Sequence, residues 1–291
     1  MDSFNDILKN LPKLISYELS LLPQNIISNL EEIRLRCGFR TILQYNNTEK
    51  QLTRIISKED LEDALNSIIK FSYYAYEEDL AKGFITISGG HRVGICGKAV
   101  VNNGQPILIK EISSMNIRFA KEIKGCANSL LPYILNKDKV KNTLIVSPPG
   151  CGKTTILRDI TRIISNRGVK VAICDERSEI AGIHQCHPSY DLGPRTDVLD
   201  GCDKTYGIPM LIRSMSPEVI ITDEIGKSKD IETMELCQNS GVKLITSIHG
   251  SSIDDLMNSK IEPLIKKKLF ENIIFLSKDN GPGTIKEIIC D

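Results

Sequence analysis

Tryptophan is absent from the 291-residue sequence, and aromatic residues make up only 5% of it. Few ring faces are therefore offered for stacking single-stranded nucleic acid. Charge of neither sign is in excess, since 37 Lys and Arg balance 37 Asp and Glu. No global basic field recruits nucleic acid or an anionic membrane, and no nucleic-acid partner is expected. C-x-x-C pairs are missing, and the nine cysteines are odd in number and scattered. With no signal-peptide pattern, free thiols in a reducing cytoplasmic compartment are expected, not a disulfide framework. No uncharged apolar stretch approaches the ~18 to 20 residues that cross a bilayer, so any membrane role is expected to be peripheral. Internal repeats and low-complexity tracts are lacking too.

What remains is ordinary globular material, 41% hydrophobic and 25% charged, long enough for two domains. Residues 1–30 carry a helical apolar face (Ile7, Leu8, Leu11, then Leu14, Ile15, Leu19) interrupted by Pro12. From Glu32 to Cys37 the pattern alternates, placing Ile33 and Leu35 on one side of a strand and Arg34 and Arg36 on the other. Ser57 and Asp60 form a capping-box pattern opening a helix through Ile69. Two hairpins are expected, one at Gly89-Gly90 and one at Asn103-Gly104. The expectation is an α+β domain over 1–124, a linker and first helix over 125–141, and an α/β domain with a parallel-rich sheet over 142–291. Strands are expected at Thr143–Val146, Val169–Cys174, Val219–Thr222 and Lys243–Ser247, with a closing hairpin at Asn272–Leu276 and Thr284–Ile289.

The most informative segment is Ser147-Pro148-Pro149-Gly150-Cys151-Gly152-Lys153-Thr154-Thr155, set between an apolar run and a helical pattern. Strand, glycine-rich loop and helix, in that order, make a phosphate-binding loop. Its backbone N–H groups and the helix N-terminus cradle an anion. Pro149, Gly150, Cys151, Gly152, Lys153, Thr154 and Thr155 are the expected nucleotide contacts. Lys153 would reach the β- and γ-phosphates, and the Thr154 hydroxyl would hold Mg²⁺. Ser147 stands where the full pattern has glycine, which bears on the shape of the loop entrance.

In open α/β sheets chemistry gathers at the carboxyl ends of the strands. The run Val219-Ile220-Ile221-Thr222 leads into Asp223-Glu224. An apolar strand ending in two acids is the Walker B form: Asp223 for Mg²⁺, Glu224 for the attacking water. A second acidic pair, Asp175-Glu176, ends another strand pattern; it serves either the γ-phosphate or a helix cap. His249 follows Leu244–Ile248, as a phosphate sensor or a structural histidine. An arginine often meets the developing charge in such hydrolases. Arg118, Arg177, Arg195 and Arg213 are the candidates. His184, Cys186, His187 and Cys202 lack the spacing of a structural zinc site, so zinc is not expected.

Three strings are more specific than the loop: Asp175–Gly182, Arg195–Cys202 and Ile212–Pro217. With Glu32-Ile33-Arg34-Leu35-Arg36, Gly89–Gly94 and Glu122–Cys126, they resemble the stage III sporulation protein AA family of endospore-forming bacteria, over nearly the whole chain. That family is similar to type II and type IV secretion ATPases. The resemblance implies a RecA-like motor domain behind a smaller N-terminal domain, a hexameric ring, and ATP with Mg²⁺ bound at subunit borders. In that scheme Asp175-Glu176 resembles the acidic box and Thr246–His249 the histidine box. Glu176 and Glu224 both stand as catalytic candidates. Arg34, Arg36, Arg92 and Arg118 become candidates to reach nucleotide. The resemblance further implies a place in the mother-cell cytoplasm, against the outer forespore membrane, docked on membrane proteins of the channel apparatus. The expectation is a Mg²⁺-dependent ATPase driving that apparatus. A nucleic-acid-stimulated motor and an ATP-binding assembly switch with little turnover stay open as rivals.

Overall fold

The fold was established from a computed structural model, which describes residues 2–46, 48–70, 72–87, 89–102, 104–120, 122–137, 139–183 and 187–290. The chain divides into two compact units, Met1–Lys121 with His184–Ser189, and Glu122–Ile183 with Tyr190–Asp291.

The first unit opens with α1 (Asp2–Lys9), α2 (Lys13–Ser20) and α3 (Gln24–Ile27). Pro12 separates α1 from α2, and Ile7, Leu11, Ile15 and Leu19 are buried on one side of the pair. Strands β1 (Leu30–Arg36), β2 (Arg40–Tyr45) and β3 (Thr48–Ile55) precede α4 (Lys58–Ile68) and α5 (Glu77–Lys82). Then come β4 (Phe84–Ile87), β5 (His91–Asn102) and β6 (Gln105–Arg118). The sheet is antiparallel throughout, in the order β3-β2-β1-β6-β5-β4. Ser57 and Asp60 close the capping box of α4, whose Leu61, Ala64, Leu65 and Ile68 join Ile33 and Leu35 in the core. The two expected hairpins share one strand, because β5 runs unbroken from the first turn to the second. Across the open face, Arg34, Arg36, Arg92 and Arg118 line a concavity with Asn116. Glu32, buried beneath it, accepts from Arg34 and Asn116 and pairs with Arg118 at 3.4 Å.

In the second unit, α6 (Leu131–Ile134) and the short strands β7 (Leu135–Asn136) and β8 (Lys139–Val140) lead into β9 (Thr143–Ser147) and α7 (Lys153–Asn166). There follow β10 (Val171–Asp175), β11 (Thr196–Asp200), α8 (Lys204–Met215), β12 (Val219–Glu224), α9 (Ser228–Asn239) and β13 (Lys243–His249). The chain ends with α10 (Ile253–Met257), α11 (Glu262–Lys266), β14 (Asn272–Ser277) and β15 (Thr284–Cys290). Seven strands form the sheet β11-β10-β12-β13-β9-β14-β15; only β15 runs against its neighbour. Apolar side chains on both faces explain why β9 and β10 read as unbroken hydrophobic runs. One face packs on α7 through Ile156, Leu157, Ile160 and Ile164. The other packs on α8 to α11 through Ile208, Leu211, Met234, Leu256 and Leu264. Gly207 lets α8 approach closely, since a Cβ there would stand 2.6 Å from the Cys174 sulfur. Edge strand β11 has no apolar run and no sequence signal; its residues are half-buried or exposed.

Parallel order brings the carboxyl ends of β10, β12, β13 and β9 together as four neighbours on one edge. Among the described residues, no helix is long and apolar enough to cross a membrane.

Candidate functional site

The glycine-rich loop leaves β9 at Ser147 and enters α7 at Lys153. Gly150 and Gly152 have φ of +71° and +85°, a backbone region that side-chain-bearing residues rarely occupy. Ser147 has no positive φ. It is the last residue of the strand, fully buried, with its hydroxyl donating to the Pro148 carbonyl at 3.0 Å. Glycine's freedom is thus needed further along the loop, not at its entrance. Thr154 and Thr155 stand partly exposed in the first turn of α7, where the N–H groups have no intrahelical acceptor.

Lys153 folds back over the loop. Its Nζ donates to the Ser147 carbonyl at 3.2 Å and meets His249 Nδ1 at 2.8 Å. Burial pulls the Lys153 amine below its ordinary pKa, against the opposing charge of Glu224. His249 Nε2 lies 3.0 Å from Glu224 Oε2. With Nδ1 accepting from the ammonium, Nε2 carries the proton that Glu224 accepts. A run of polar contacts therefore links the loop lysine, the end of β13 and the end of β12.

On the other side of β12 the acids meet lysines. Asp175 is fully buried and accepts the backbone N–H groups of Glu179, Ile180 and Ala181 at 2.8 to 2.9 Å. It shapes the turn after β10, where no helix starts among the described residues, so the helix-cap alternative does not hold there. Glu176 faces away from that turn and accepts from Lys204 and from Lys227 at 2.7 Å. Burial works to raise Glu176, but these two ammonium groups outweigh it and hold the carboxyl below its ordinary range. Lys204 also stands 3.5 Å from Asp223 Oδ1. Burial, reinforced by Asp175 and Glu176 and opposed by Lys204, pushes Asp223 up to about 6. The Thr246 hydroxyl donates to the Asp223 carbonyl at 2.7 Å, and the Thr222 hydroxyl to the Cys174 carbonyl at 2.9 Å, pinning the strand ends together.

Asp223 and Thr154 offer one carboxylate and one hydroxyl, the hard oxygen donors that Mg²⁺ takes while keeping waters and phosphate oxygens as further ligands. Among the described residues, no group of three or more His, Cys, Asp or Glu could hold a metal. Of the residues weighed for zinc, His184 and Cys186 lie outside the described residues, and His187 is exposed.

Of the candidate arginines in the second unit, Arg177 follows Asp175 and Glu176 in the turn after β10, while Arg195 and Arg213 stand elsewhere. Arg195 lies at the opposite, amino-terminal end of the sheet, with its guanidinium donating to the Gly168 carbonyl at 3.0 Å. Arg213 sits in the last turn of α8, exposed, donating to the Pro209 carbonyl at 3.2 Å. Arg118 belongs to the first unit's open face. Lys204 and Lys227 had no motif to announce them. One sign was available: Lys204 directly follows the helix-capping Asp203, where the helix dipole disfavours a cation.

The family model described as Sporulation stage III, protein AA matches residues 6–291. Stage III sporulation protein AA of Bacillus subtilis (strain 168) is 40% identical over 290 residues, 98% of this chain and 94% of that protein. Among solved structures, the ATPase DotB of Legionella pneumophila superposes with a TM-score of 0.59 at 16% identity, over 91% of this chain and 76% of that one. The pilus retraction motor PilT with bound ADP gives a TM-score of 0.60 at 15% identity, over 90% and 76%. At such identities the likeness speaks for the fold, and the RecA-like P-loop expectation is borne out.

Proposed function

Because the chain belongs to the stage III sporulation protein AA family, we propose that it is a Mg²⁺-dependent ATPase. We further propose that it works as a secretion-ATPase-like ring. The contact run Lys153–His249–Glu224 across the strand ends carries this reading.

In the proposed reaction the N–H groups of the loop and of the first turn of α7 hold the triphosphate, and Lys153 meets its β- and γ-oxygens. Thr154 and Asp223 hold Mg²⁺, which when bound neutralises charge on the phosphate oxygens. Glu224 orients a water and takes its proton as the water oxygen attacks the γ-phosphorus in line and the bond to ADP breaks. His249 fixes the Glu224 carboxylate through its N–H. Between the two glutamates, Glu224 is the base in this proposal. Glu176 is held charged by two ammonium groups, which makes it a weak proton acceptor. Its role is to fix Lys204 beside Asp223. Arg195 and Arg213, away from this edge in their own unit, would act on the site of a neighbouring subunit, where an arginine would meet the transition-state charge.

The ring, a hexamer in this reading, would stand in the mother-cell cytoplasm against the outer forespore membrane. It would dock on membrane proteins of the channel apparatus and turn hydrolysis into assembly or transport. Support comes from the family and from the shared fold of an ATPase and a pilus motor. The direct test of the site is Lys153→Ala. Phosphate release from Mg-ATP should vanish while the melting curve stays that of wild type. Full activity in the variant would refute the site.

A further inference from the structure

Lys278 follows β14 and opens the turn into β15, a turn that crosses the glycine loop. A Cβ placed on Gly150 would stand 3.1 Å from the Lys278 Nζ and 3.6 Å from its Cε. One placed on Gly152 would stand 3.7 Å from the Gly283 nitrogen and from the Pro282 Cβ. Gly283, at φ +90°, lies in the same way against Ile156 in the first turn of α7, at 3.5 Å. The turn thus touches the loop, and positive φ at Gly150, Gly152 and Gly283, not lack of space, is what calls for glycine there. The turn is braced internally. Ser277 Oγ donates to Asp279 Oδ2 at 2.8 Å, and Thr284 Oγ1 donates to the Gly281 carbonyl at 2.7 Å. Asp279 is thus engaged with Ser277, and no ion pair joins Lys278 to any described residue.

That placement is electrostatically unfavourable by itself. The start of α7 carries the positive end of the helix dipole, and Lys153 adds a full charge beside it. Lys278 is exposed, and over Gly150 its ammonium gains when an anion lies in the loop and shares it. We propose that Lys278 is a second cationic contact for the phosphates of the bound nucleotide, supplied by the C-terminal hairpin in addition to Lys153. The inference rests on the phosphate-loop reading above. Both cations would then face the diphosphate or triphosphate, and Lys278 would be carried by an element outside the loop motif.

Calorimetric titration of the full chain with Mg-ADP tests this, using wild type, Lys278→Gln, Lys278→Arg and Lys153→Ala. Loss of a charge-assisted contact should weaken binding by Lys278→Gln about tenfold. The same variant should show a shallower dependence of affinity on salt. Lys278→Arg should stay within about threefold of wild type, because its charge remains. Wild-type affinity and salt dependence in Lys278→Gln, with Lys153→Ala weakened, would overturn this inference and leave the phosphate-loop reading standing. Wild-type affinity in Lys153→Ala would overturn that reading and this inference with it. Weakening in Lys278→Gln that Lys278→Arg fails to restore would also overturn the proposal, since the loss would not follow the charge.

Discussion

Lys204 is 2% exposed, yet it is a cation with Glu176 against it and Asp223 at 3.5 Å. Burying an ammonium is costly unless carboxylates compensate it, and removing one partner strands the others. Burial alone would lower its pKa; the Glu176 bond and the Asp223 charge more than reverse this and raise it. Lys204→Met should therefore destabilise the protein by about 3 kcal/mol, several degrees in melting temperature. Adding Asp223→Asn should recover part of the loss, because the buried carboxylate left without Lys204 is then removed, whereas Glu176 keeps Lys227. Calorimetric melting of the two single variants and the double variant measures the coupling. Strict additivity would mean that the two residues are not coupled. At this scale the sequence was legible where chemistry depends on backbone. A glycine loop between a strand and a helix declares itself, because few other arrangements need those residues there. Lys204 and Lys227 were illegible, since their meaning comes from Glu176, a carboxylate in the turn after β10, 28 and 51 residues away in the chain. The proposed choice of Glu224 rests on these two lysines beside Glu176, which no motif encodes.

At the scale of elements, α8 starts on Asp203, whose carboxylate accepts the Thr205 backbone N–H at 2.9 Å. Its bonds with Thr205 lead the causes that bring its pKa down from 3.8 to about 2. An acid with a folded pKa below its unfolded one stabilises the fold above the unfolded value. Here that contribution is full above pH ~4 and is lost as pH falls toward ~2. Asp203→Ala should cost about 1 kcal/mol at pH 7, the usual worth of such a cap. The difference from wild type should shrink through that acid window. Urea melts at pH 7 and pH 3 would show it; an equal deficit at both would assign the loss to packing instead. Elements with a strong period were legible: α4 from its capping box, β9 and β12 from apolar runs, the closing hairpin from its glycines. Strand β11 was not, because an edge strand with a polar sequence has no apolar alternation to betray it. Long β5 was read as parts of two hairpins, since turn signals mark where strands end and carry no information on which strands are shared.

For the whole molecule, net charge is neutral and the first unit carries an arginine-lined sheet face. If sites are completed by a neighbouring subunit, turnover per chain must depend on how many chains are assembled. Steady-state phosphate release with Mg-ATP over a series of protein concentrations, with Glu224→Gln beside wild type, measures this directly. The account predicts specific activity that rises with concentration and disappears in the variant. Undiminished release by Glu224→Gln would contradict the proposed chemistry, and specific activity constant at every concentration would contradict the composite ring.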